Sequence, residues 1–129
     1  MQRIDNFIQG PYYTGQEQRF KMDTIKYLQN VDIDNAFDPP VCFCIESPET
    51  AAGFPDVIQL DRRSYKLIEF KVSDKYGNAC FTKARLLFYR KYPHLNTDII
   101  VWDSRAQQAY LIKPKEVKSL KVKLPAIEE

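Results

Sequence analysis

The chain has 129 residues, 44% hydrophobic and 28% charged, which suits a single packed domain and excludes wholesale disorder. Three cysteines without CxxC spacing and one histidine argue against a disulfide frame, a zinc site, an iron–sulfur cluster and Ser-His-Asp chemistry. No apolar run approaches the ~18 residues of a membrane helix, and Met1 to Gly10 lacks the apolar stretch of a secretory signal. The expectation is a cytoplasmic protein with reduced, buried thiols, no membrane contact and no organic cofactor.

The net charge of +2 hides a segregation. Residues 31–60 hold six acids and no base, whereas residues 61–92 hold nine bases and three acids. Two solvated faces of opposite sign would give this pattern. So would an acidic cluster able to hold a cation beside a surface able to hold a polyanion.

In chain order, residues 1–14 read as an irregular N-terminal extension, broken at Gly10-Pro11. Thr14-Gly15 opens a helical pattern to about Asn30, with Phe20, Thr24, Tyr27 and Leu28 on one stripe. Glu17, three residues after Thr14, suits a capping box. Val41 to Ile45 reads as a strand, and Asp56–Leu60 with Lys66–Val72 as a hairpin. Ala79 to Tyr92 is expected as a helix with Phe81, Ala84, Phe88 and Tyr92 inward, stopped by Pro93. Asp98–Asp103 and Ala109–Ile112 read as strands, Lys115–Leu120 as a last helical turn, and 121–129 as a charged tail. The expected class is α/β: one domain over 1–129, a mixed central sheet flanked by helices.

The chemistry concentrates in the hairpin. A turn centred between Arg62 and Arg63 opposes residues whose numbers sum to 125, so Asp56 faces Glu69 across the ladder. Glu69 and Lys71, two apart, share a face. Two carboxylates at that separation repel unless a cation lies between them, and hard oxygen ligands suit Mg²⁺. An amine beside the ion can hold an attacking water or stabilise charge on a phosphate, which is what phosphodiester hydrolysis requires. A surface salt-bridge ladder is the plain structural alternative.

Pro55-Asp56, then the hairpin, then Glu69-Phe70-Lys71 resembles the PD-(D/E)XK nuclease signature, and the element order αβββαβ resembles the restriction-endonuclease-like core. Gly53-Phe54-Pro55-Asp56 in a short chain is most similar to the virus-type replication-repair nucleases and the archaeal Holliday-junction resolvases. The resemblance spans about residues 15–103. It implies that Asp56 and Glu69 bind Mg²⁺ or Mn²⁺ with the backbone carbonyl of Phe70, and that Lys71 is catalytic. It also implies a further acid, with Glu17 preferred and Glu46 the alternative. Such a protein would cut DNA in replication, repair or recombination, and two-fold targets favour a homodimer. An RNA-directed nuclease and an inactive binding module of the same fold are the alternatives. Members commonly keep a Gln early in the following helix, where this chain has Thr82-Lys83-Ala84-Arg85. Lys83 and Arg85 are the candidate phosphate contacts there, with Arg62, Arg63 and Lys75 as further nucleic-acid contacts. His94 at the helix end reads as a complement to the helix dipole.

Overall fold

The computed structural model describes residues 1–4, 19–24, 41–44, 55–60 and 64–126. The strands are β1 (Gln2–Ile4), β2 (Val41–Cys44), β3 (Val57–Leu60), β4 (Tyr65–Val72), β5 (Asn78–Cys80), β6 (Thr97–Asp103), β7 (Gln108–Ile112) and β8 (Lys121–Lys123). Residues 19–24 form helix α1, and α2 spans Lys83–Lys91. A 3-10 turn covers Pro114–Glu116.

Six strands make one mixed sheet in the order β1-β7-β6-β4-β3-β2, and β5 pairs with β8 in a separate two-stranded sheet. β4 and β6 are parallel neighbours joined through α2, while all other ladders are antiparallel. β6, Thr-Asp-Ile-Ile-Val-Trp-Asp, is buried along its whole length, as a central strand covered on both faces must be.

Alternation along β4 and β6 divides two cores. Phe70, Ile68, Ile100 and Trp102 pack with Phe20 of α1 on one face. Phe20 meets Phe70 edge-on, ring centroids 6.0 Å apart. Ile99, Val101 and Ile112 pack with Phe81, Leu86 and Tyr89 on the α2 face. Register then assigns Glu69 and Lys71, the partners of Ile99 and Val101, to the α2 face.

The β3–β4 register and the mixed sheet match the sequence reading, and several boundaries differ. Helix α2 starts four residues later than expected, because Thr82 caps it by accepting the Arg85 N–H at 3.2 Å. The buried residues of α2 are Leu86 and Tyr89, with Phe88 half-buried against the same core and Tyr92 exposed, so the inward face differs from the expected one. Residues 78–80 are instead a strand, paired with 121–123, so the charged tail includes β8 and the buried Leu124. The expected helical turn at Lys115–Leu120 is the 3-10 turn Pro114–Glu116, with Pro114 fixing its first position. The N-terminal extension begins with β1, an edge strand on β7. Leu60 is exposed where the hairpin outruns the core, and Cys80 is an exposed thiol rather than a buried one. Among the described residues, no helix is long and apolar enough to cross a membrane.

Candidate active site

The β3–β4 ladder pairs Leu60 with Tyr65, Ile58 with Leu67 and Val57 with Ile68. One further step sets Asp56 against Glu69. Asp56 lies just before β3, and its Oδ2 accepts the Phe70 N–H at 3.1 Å. The carboxylate thus replaces a ladder partner and is fixed to the strand that bears Glu69. Phe70 points its own ring into the opposite core, which anchors this stretch of β4.

Both carboxyls are buried, Asp56 at 5% and Glu69 at 0% exposure. Arg85, on the first turn of α2, supplies the compensating charge. Its Nη1 lies 2.8 Å from Glu69 Oε2 and its Nη2 3.8 Å from Asp56 Oδ1. Glu69 Oε1 is buried without a hydrogen-bond partner. Burial first, the Asp56 charge second and a side-chain hydrogen bond shared with Asp56 push the Glu69 carboxyl up to about 9, against the pull of Arg85 and Lys71.

Lys71 is half-buried, with Nζ 5.8 Å from the centre of the Phe81 ring. Its charge reaches Glu69, as expected for residues two apart on one strand. Phe81 therefore forms an aromatic wall beside the amine. Tyr89 lies one helical turn beyond Arg85 on the same side of α2. Its hydroxyl is buried and unpartnered, and burial together with the Glu69 charge raises its pKa.

Asp56, Glu69, Lys71 and Arg85 thus converge at one place. Arg85, offered by the sequence as a phosphate contact, turns inward onto the carboxylates. Lys83 is exposed at the start of α2, and Lys75 is exposed with Nζ 5.1 Å from the Tyr76 ring. Glu17, Glu46, Arg62 and Arg63 lie outside the described residues. His94 is exposed against Tyr92, ring centroids 6.3 Å apart. Sequence reasoning missed Tyr89 and the inward role of Arg85. The signal for both was the spacing itself: residues 85 and 89, four apart, share one face of a helix wherever it begins.

Two adjacent carboxyls, one with an orphaned buried oxygen, fit a divalent cation: the donor set is hard oxygen, and a cation would engage Glu69 Oε1. Among the described residues no third His, Cys, Asp or Glu joins the pair. Mg²⁺ commonly takes only one or two carboxylates and keeps several waters, so the pair is sufficient in kind.

No family model matches this chain, and neither does any curated relative. Among solved structures it is similar to Hjc of Archaeoglobus fulgidus, a Holliday junction resolvase from an archaeal hyperthermophile. The superposition has a TM-score of 0.59 and 15% sequence identity, covering 82% of this chain and 87% of the resolvase. The likeness is one of architecture: this chain has the restriction-endonuclease-like α/β fold, shared with that resolvase.

Proposed function

We propose that the protein is a divalent-metal-dependent endonuclease that hydrolyses phosphodiester bonds in DNA, with branched recombination intermediates as its substrate class. The observation that carries this reading is the convergence of Asp56 and Glu69 in ladder register, with Lys71 two residues along the same face. The fold of the archaeal resolvase supports branched DNA as the target.

Asp56 and Glu69 would hold Mg²⁺ or Mn²⁺, with the Phe70 carbonyl on the same strand available as a further ligand. When bound, the ion supplies Lewis-acid activation of the scissile phosphate. Lys71 orients the attacking water and offsets negative charge as the phosphorus becomes five-coordinate. Arg85 lies against both acids, and where a divalent cation took over that role its guanidinium would be available to phosphate oxygens. Lys83 and Lys75, both exposed, add backbone phosphate contacts. A second copy of the chain would supply the second cut on a two-fold junction.

One observation favours a second reading, a non-catalytic binding module of the same fold: Arg85 already sits against both acids, 2.8 Å from Glu69 and 3.8 Å from Asp56. Nicking assays with Mg²⁺ and Mn²⁺ on junction, flap and duplex DNA, with RNA alongside, separate the readings. The nuclease reading expects metal-dependent cutting of DNA that Asp56→Asn and Lys71→Ala abolish. Cutting by both variants at the wild-type rate would remove the site assignment. No cutting under any condition would leave the binding module.

A further inference from the structure

A cleft of about 560 Å³ opens on the α2 face of the sheet, between the C-terminal end of α2, the start of β6 and the 3-10 turn. That volume is in the range of sites that enclose a small ligand. Its lining is divided by chemistry. Leu95, Pro114 and Val117 contribute apolar walls. Arg90, Lys115 and Lys118, also in the lining, are exposed, and no acid lines the cleft among the described residues. Lys113, also in the lining, is held by an ion pair to Asp98, which Lys66 joins at 2.9 Å. It therefore braces the wall, and among the described residues Arg90, Lys115 and Lys118 make no ion pair within 4 Å.

The cleft adjoins the carboxylate site. Tyr89 lines it, and the Tyr89 hydroxyl is the buried, unpartnered group that senses Glu69 and Asp56. Thr97, also in the lining, is two residues down β6 from Ile99, the ladder partner of Glu69. Two strand residues span roughly 6.6 Å. A cleft with apolar walls, an aromatic residue and exposed cations in its lining complements a flat, uncharged base attached to phosphates.

We propose that this cleft receives one unpaired nucleotide of the DNA strand beside the scissile bond, base inward, with Arg90, Lys115 and Lys118 on its flanking phosphates. This rests on the nuclease reading. It adds a specificity to it: cleavage next to an unpaired position, whatever the shape of the rest of the substrate.

The test compares one duplex with and without a single unpaired nucleotide, by fluorescence anisotropy and by nicking. Binding is measured on Asp56→Asn protein, so it stands whether or not the protein cuts. The expected result is about tenfold tighter binding of the DNA with the unpaired nucleotide, from base burial of the size typical of single-strand sites. Adding Arg90→Glu with Lys118→Glu should abolish that preference. The milder pair Arg90→Gln with Lys118→Gln should lower the salt slope of log K by about 1.4, at roughly 0.7 per phosphate contact. A preference that survives both pairs, or none in the parent protein, overturns the proposal while leaving the nuclease reading intact. Absent cutting with the preference preserved would instead strike the nuclease reading alone.

Discussion

Arg85 Nη1 lies 2.8 Å from Glu69 Oε2, so a cation from α2 occupies the side of the β-hairpin where two buried acids meet. Its charge reaches both acids, because Asp56 Oδ1 is 3.8 Å from the other terminal nitrogen. The Arg85 side chain is 17% exposed against 0% for Glu69, so the guanidinium lies between the buried acids and solvent.

Removing that cation should be costly. Arg85→Met leaves Asp56 and Glu69 buried and uncompensated, a loss of about 3 kcal/mol for one partner of a buried ion pair. Urea unfolding without metal should show it. Saturating Mg²⁺ should narrow the gap, since the ion takes over the guanidinium's role. An equal deficit with and without Mg²⁺ would separate Arg85 from any metal site.

The pH dependence has a defined sign. The Glu69 carboxyl is raised to about 9 in the folded chain, above the ordinary value of about 4.3 for glutamate. Between those limits the folded chain binds more protons than the unfolded one, so this group's contribution weakens stability as pH rises. Unfolding free energy without metal should fall from about pH 5 to about pH 9. Glu69→Gln should flatten the slope. Mg²⁺ should stabilise most at the alkaline end, because binding requires the deprotonated carboxyl. An unchanged slope in Glu69→Gln would count against this assignment.

The helix cap has a local role and a site role. Thr82→Ala removes the acceptor of the Arg85 N–H and should cost about 1 kcal/mol. It should also loosen the start of α2 and so the Arg85–Glu69 contact. Hydrogen exchange at the first turn of α2 is the check, with faster exchange expected there than at Tyr89.

Gly77 is a second local constraint. Its φ of +80° favours glycine, and an added Cβ would lie 2.0 Å from the Arg105 guanidinium carbon. Asp74 holds the same turn by accepting the N–H groups of Tyr76 and Asn78, each at 2.9 Å. Gly77→Ala should therefore destabilise by more than about 1 kcal/mol, measured by thermal unfolding.

Much of the site was legible in the sequence because a short hairpin constrains its own register. Two arginines at the turn and alternating apolar residues were enough to oppose Asp56 and Glu69. The strand Asp98–Asp103 was legible as an unbroken apolar run. The rest depended on long-range pairing. Residues 78–80 and 121–123 carry weak patterns alone and become strands only by meeting each other. Gln2–Ile4 is likewise a strand by virtue of β7. The start of α2 turned on the Thr82 cap, and the inward course of Arg85 on the long-range docking of α2 against β4. Glu17 and Glu46 lie outside the described residues, so their part in the site stays a proposal.

The central claim is that Asp56 and Glu69 share one divalent cation, and a crystal structure grown with Mn²⁺ tests it most directly through anomalous scattering. A shared ion gives a peak bonded to an oxygen of each carboxylate, with Lys71 beside it and Arg85 withdrawn from Glu69. Density with no peak there, and Arg85 still seated between the two acids, would contradict it.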